Sequence, residues 1–179
     1  MRYVIVYLIG GKAEKYHQKL VREVGPRFGE RYLIENPLPL HITLKSPFEL
    51  DNSKELESTL KLFVKRYKPE EIEIGGFGNF RRFVSFLKVK LSKQSIKIQK
   101  ELLNEVKKIK DIKLDKFDIK LKPHATVCYG NTKDSFDKIW SYLKTLDKPK
   151  FKLKFDNITI LSKPKKVWKI YRVYKLKGV

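Results

Sequence analysis

Pro39-Leu40-His41-Ile42-Thr43-Leu44-Lys45-Ser46-Pro47-Phe48 decides how the chain is read, because a single-residue alternation begins at its histidine. In a strand, residues i and i+2 project from one face about 6.6 Å apart, so His41 and Thr43 share a face, with Lys45 continuing it. The pattern returns at Lys122-Pro123-His124-Ala125-Thr126-Val127-Cys128-Tyr129. There His124 and Thr126 share a face, with Cys128 expected beyond them. Two of the three histidines thus carry threonine at +2, each after a proline-containing approach and within a predicted strand.

Each pair offers an imidazole that exchanges a proton near neutral pH and a hydroxyl that can donate to a phosphate oxygen. In-line displacement at phosphorus needs a base on the attacking oxygen and an acid on the leaving oxygen, on opposite sides. Two facing histidines would meet that need and two threonines would clamp the phosphate. Either pair alone would read as ordinary half-buried strand chemistry, so the repetition is what points to a site.

Outward from these stretches, β-like runs are expected at Arg2 to Ile9, His41 to Phe48, Glu71 to Ile74, Phe83 to Leu91, His124 to Tyr129, Phe151 to Leu161 and Val167 to Leu176. Helical spacing predicts a helix from about Lys12 to Val24, ending at the Gly25-Pro26 break. A second carries Leu56, Leu60, Phe63, Val64 and Tyr67 behind the possible caps Asp51, Asn52 and Ser53, with Pro69 marking its end. A third carries Ile98, Leu102, Val106 and Ile109, and a fourth Phe136, Ile139, Trp140 and Leu143 behind Thr132 and Asp134. Phe151, Leu153 and Phe155 alternate with polar residues, which favours antiparallel pairing and an α+β class. Each half offers a helix, a proline-flanked strand opening on histidine, and another helix, so the halves read as pseudo-duplicates. With no Pro-, Gly- or Ser-rich linker between them, one domain over residues 1–179 is expected.

Composition narrows the function classes. Hydrophobic residues at 41% and aromatics at 12% suffice for a packed core, which argues against global disorder. The 41 Lys and Arg against 20 Asp and Glu leave a net charge of +21, a field that attracts polyanions, although lysine-rich composition also serves solubility. Cys128 is the only cysteine, which excludes a disulfide-stapled scaffold and makes a reducing cytoplasm the simplest setting. The apolar run Tyr3 to Ile9 is too short for a membrane span and reads as a buried strand. Three histidines and one cysteine in no H-x-x-x-H, C-x-x-C or D-x-D arrangement indicate no metal site.

The two segments Pro39 to Phe48 and Lys122 to Tyr129 resemble the signature of the 2H phosphoesterases, especially their 2′-5′ RNA ligase-like branch, whose mark is two H-x-T/S motifs on strands. The resemblance implies a bilobal, pseudo-two-fold fold, with two mainly antiparallel sheets lining a central cleft and helices outside. It implies catalytic histidines at 41 and 124, with Thr43 and Thr126 on the phosphate oxygens. It further implies a metal-independent phosphodiesterase, without cofactor, that opens 2′,3′-cyclic phosphates on RNA or nucleotides to 2′-phosphates, with reversible 2′-5′ ligation as a companion activity. His124 as base and His41 as acid follow from the resemblance alone. Other readings stay open: another phosphodiester such as a 2′-5′ oligonucleotide, or an RNA-binding protein without turnover. A monomer with no membrane contact and no obligate protein partner is expected.

Around these residues, Lys45 and Lys122 could neutralise phosphate charge or simply extend into solvent. Arg81 and Arg82, beside Phe80 and Phe83, could hold phosphate and stack a base at the cleft rim. Cys128 is expected to pack rather than attack, since a nucleophilic thiol needs an activating base. His17, on the first helix without a hydroxyl partner, is left out of the site. Gly75-Gly76-Phe77-Gly78 lacks the Walker lysine spacing and reads as a bend.

Overall fold

The protein is described by a computed structural model covering residues 1–80, 83–130 and 133–178. The chain runs β1 (Arg2–Leu8), α1 (Gly11–Arg27), α2 (Tyr32–Glu35), β2 (His41–Glu49), α3 (Lys54–Phe63) and, after a 3-10 turn, β3 (Glu70–Phe80). It continues through β4 (Val84–Lys90), α4 (Lys93–Val106), α5 (Lys116–Ile119), β5 (His124–Tyr129), α6 (Lys133–Thr145), β6 (Lys150–Phe155), β7 (Asn157–Lys163) and β8 (Lys169–Lys175).

The strands form two four-stranded antiparallel sheets, ordered β2-β1-β7-β8 and β5-β4-β3-β6. The class is α+β, and the halves echo one another. In each, a strand, a helix and an antiparallel neighbour that opens on histidine follow in order (β1-α1-β2 and β4-α4-β5), and the histidine strand takes the sheet edge.

Burial explains the elements. Leu56, Leu60 and Phe63 are fully enclosed on the inner stripe of α3, each contributing on the order of 1.5–3 kcal/mol. Ile98, Leu102 and Val106 do the same for α4, whose start is capped by the Ser92 hydroxyl accepting from the Ser95 N–H at 2.9 Å. These side chains join Ile5, Ile42, Ile74 and Leu87 from both sheets in one apolar core.

Several boundaries differ from the sequence expectation: β3 runs on from Ile74 to Phe80, and the helices expected to carry Tyr67 and Ile109 end at Phe63 and Val106. The first helix does not stop at Gly25-Pro26 but runs to Arg27, because a proline in the last turn forfeits one hydrogen bond without interrupting the turns before it. Gly25 is needed there for closeness: a Cβ on it would meet the Glu30 carbonyl oxygen at 2.3 Å. The run Phe151 to Leu161 is two strands in different sheets, β6 and β7, divided at Asp156. The Asn157 side chain accepts from the Leu8 N–H and donates to the Leu8 carbonyl, both at 3.0 Å, and so anchors β7 to the end of β1. The glycine cluster lies within β3, where the pairing with β4 slips between Ile74 and Phe77 and Gly76 has φ of 67°.

Candidate active site

Each histidine of the repeated motif opens an edge strand, and its ring is tied back to the chain two residues earlier. His41 Nδ1 lies 2.8 Å from the Pro39 carbonyl oxygen, and His124 Nδ1 lies 2.7 Å from that of Lys122. A carbonyl oxygen only accepts, so each Nδ1 carries the proton and each neutral ring keeps its Nε2 lone pair for another partner. Both rings, with Thr43 and Thr126, line one cavity of about 390 Å³. Leu33, Ile34 and Leu38 supply its apolar wall, and Gln18 and Arg22 its polar one.

Electrostatics follow from that enclosure. Burial lowers the pKa of His41, the bond to Pro39 opposes it, and the nearby His124 and His17 rings lower it further. Burial likewise lowers His124, against the bond to Lys122. Phe80 meets the His124 ring edge-on at 4.9 Å and Phe86 lies 5.3 Å from it, and both rings help to enclose it. Two mostly neutral imidazoles, two hydroxyls and a cavity of this size suit one anionic group held between a proton acceptor and a proton donor.

A family model described as the 2′-5′ RNA ligase superfamily matches residues 17–166. The chain belongs to that superfamily. Its fold is shared with TT0787 of Thermus thermophilus, at a TM-score of 0.72 and 15% identity over 99% of each chain. A crystal structure described as a phosphoesterase gives 0.62 and 13% identity over 98% of this chain and 97% of the other. E. coli LigT complexed with 3′-AMP gives 0.58 and 12% identity over 98% and 97%. No curated protein matches the chain by sequence.

Within this superfamily member, the fourth residue after the start of each motif breaks the expected alternation. Thr43 pairs with Val6 and Lys45 with Ile5, so two residues of β2 oppose one of β1. Thr126 pairs with Phe86 and Cys128 with Ser85, the same slip in β5. These matching β-bulges turn Lys45 and Cys128 from the cleft face to the core face. Lys45 is only 1% exposed, and its Nζ contacts Asp118 Oδ2 at 2.9 Å and donates to the Ser46 carbonyl at 3.0 Å. The expectation that its ammonium meets a phosphate in the cleft is corrected accordingly. Burial would raise the Asp118 carboxyl, but the N–H groups of Asp115 and Ser46 and the Lys45 ammonium outweigh it and hold the carboxyl below the ordinary range. Cys128 is buried and its thiol is pushed up to about 12, the inert packing role expected, though not on the cleft face.

Lys122 is exposed, its Nζ 5.8 Å from the Phe80 ring centroid, and it does not line the cavity; its carbonyl is what orients His124. Arg81 and Arg82 lie outside the described residues, as does Thr132. Of their expected aromatic neighbours, Phe80 walls His124, while Phe83 is 47% exposed and rests on Tyr129, a cavity residue.

Sequence reasoning missed His17. It lines the cavity, is only 7% exposed, and lies with Nε2 2.6 Å from the Thr126 carbonyl oxygen, to which it must donate. It thereby ties α1 to β5 at the threonine of the second motif, and burial lowers its own pKa. Gln18 and Arg22 were missed with it. The available signal was the i, i+4 pairing of His17 with Val21 and of Gln18 with Arg22, which puts all four on adjoining turns of α1.

Proposed function

We propose that this protein is a metal-independent phosphodiesterase that opens 2′,3′-cyclic phosphates on RNA ends or nucleotides, leaving a 2′-phosphate. The observation that carries this reading is the pair of Nδ1-to-carbonyl bonds, which leave two Nε2 atoms in one cavity free for proton transfer. His124 accepts a proton from water as its oxygen bonds to phosphorus, and the bond from phosphorus to the ribose 3′-oxygen breaks in line. His41, in its protonated form, gives its proton to that departing oxygen. The Thr43 and Thr126 hydroxyls donate to the two non-bridging oxygens, where charge grows as the fifth bond forms. Exchange with solvent then restores the starting protonation of both rings.

Replacing water by the 5′-hydroxyl of a second strand gives a 2′-5′ linkage with the same residues in the same roles, so ligation and its reversal need no additional group. The abundance of water favours hydrolysis. The experiment is incubation of purified protein with 2′,3′-cyclic nucleotides and cyclic-phosphate-ended RNA in EDTA, resolving 2′- from 3′-phosphate products. A 2′-phosphate formed in EDTA supports the reading; salt-sensitive RNA binding with no product supports a non-catalytic binder instead.

A further inference from the structure

The last stretch of the chain is chemically unlike the rest. From Asn157 to Val179 there is no Asp or Glu, while Lys163, Lys165, Lys166, Lys169, Arg172, Lys175 and Lys177 fall within it. Arg172 is paired with Glu57, and Lys175 with Asp156 at 2.8 Å. Among the described residues, no carboxylate pairs with Lys163, Lys165, Lys166 or Lys169, which cluster in and beside the turn joining β7 to β8. The same turn holds Trp168, half-buried, with the Lys163 Nζ 5.9 Å from its ring centroid.

Strand register puts this turn at the far end of the sheet from the first motif, since Lys163 pairs with Arg2 and His41 with Leu8, and Trp168 folds the turn back onto the cleft face. Thr43 pairs with Val6, Val6 with Thr159, and Thr159 with Val173, so one row of side chains crosses all four strands on the cleft side, with Val6 and Thr159 in its middle buried. At about 4.8 Å per strand, Val173 lies roughly 14 Å from Thr43. The neighbouring row runs from Val4 through Leu161 to Ile170. Val173 and Ile170 are 42% and 52% exposed at the far end. Trp168 packs onto Val4, Val6 and Leu161 together with Leu38, and Leu38 also walls the histidine cavity. Pro39 separates that cavity from a second one of about 440 Å³, bordered by Ile170, Val173 and Lys154. The carboxylates there are engaged, Asp156 by Lys175 and Glu14 by the Gln18 amide.

We infer that the Lys163–Lys169 turn, with Trp168, Leu38 and the exposed Ile170 and Val173 at the cleft side of the β2-β1-β7-β8 sheet, forms a binding track for single-stranded RNA leading away from the two histidines. The track deepens the function proposed above, on which its role in turnover rests: it names an RNA strand, rather than a free nucleotide, as the preferred substrate. Unpaired lysines meet backbone phosphates, and Trp168 with its apolar neighbours offers a surface on which a base stacks without regard to sequence.

The test uses the full chain, with Lys165→Glu/Lys166→Glu and Trp168→Ala as variants. The first readout is binding of a fluorescent single-stranded RNA 12-mer ending in a 3′-hydroxyl, measured by anisotropy against salt. This arm needs no catalysis, so it reads the track even if the protein turns over no cyclic phosphate. The double lysine variant is expected to bind at least five-fold more weakly at low salt. Its log K against log salt slope should be less steep by about 0.7 per lost phosphate contact. Trp168→Ala is expected to weaken binding at least five-fold with the slope retained. The second readout is kcat/KM for a 2′,3′-cyclic mononucleotide and for the same nucleotide at the end of a 12-mer. The variants are expected to lose at least ten-fold more on the 12-mer than on the mononucleotide. Wild-type binding and slope in the double lysine variant, whose altered side chains are exposed, would overturn the track, as would equal losses on the two substrates.

Discussion

Lys45→Met separates two roles that the sequence alone left open for this lysine. If Lys45 met substrate phosphate, its loss would raise KM and leave the fold intact. The structure instead encloses it with Asp118, so the substitution removes one member of a buried ion pair. Breaking such a pair costs about 3–5 kcal/mol, because the remaining charge stays buried without its partner. Asp118 keeps the Ser46 N–H at 2.6 Å and the Asp115 N–H at 2.9 Å, which places the loss near the lower end, about 3 kcal/mol. For a chain of this size each kcal/mol moves Tm by about 2–4 °C, so thermal unfolding at pH 7 should show a drop of roughly 6–12 °C. Lys45→Met/Asp118→Asn should recover part of it, since the stranded charge is then gone. KM for a cyclic phosphate, measured well below the new Tm, should stay at the wild-type value. A variant with the wild-type Tm and a raised KM would refute the buried-pair assignment.

His41→Ala and His124→Ala should each reduce kcat by at least ~100-fold while the circular dichroism spectrum stays native, as expected for positioned acid and base groups. Near-wild-type turnover in either removes that ring from the chemistry. Thr43→Ala and Thr126→Ala should each lose on the order of 2–4 kcal/mol of transition-state stabilisation, read as a fall in kcat/KM. Unchanged kinetics in either would take its hydroxyl off the phosphate. Since burial lowers both candidate rings below the ordinary value of about 6.5, the free protein holds one proton on the pair only below that pH. Above it neither ring is an acid, and at low pH neither is a base, so kcat/KM against pH should be bell-shaped with its maximum below about 6.5. An optimum above pH ~7.5 contradicts this assignment.

The motifs were legible because a strand's two-residue period is rigid enough to put His and Thr on one face from spacing alone. That inference held for two residues and failed at the fourth. The β-bulges that redirect Lys45 and Cys128 arise from pairing with β1 and β4, and no local residue pattern announces them. The division of Phe151 to Leu161 at Asp156 was hidden for a related reason: both strands are apolar enough to read as one run, and what parts them is the tertiary grip of Asn157 on Leu8. His17 escaped because a histidine beside an apolar helical stripe is equally at home in a core. Its function as a tie to Thr126 exists only once α1 is laid against β5. The pseudo-symmetry was visible as repeated element order, but the shared edge position of β2 and β5 depends on sheet order that a linear pattern does not encode.

The convergence of two imidazoles on one phosphorus is tested most directly by imidazole ¹⁵N–¹H NMR during titration with a nucleoside 2′-monophosphate. An anion seated between the rings stabilises both imidazolium forms, so the His41 and His124 signals should move together with a single saturation curve, and both pKa values should rise. Saturable perturbation of one ring with the other unmoved, or of neither, would contradict the shared site.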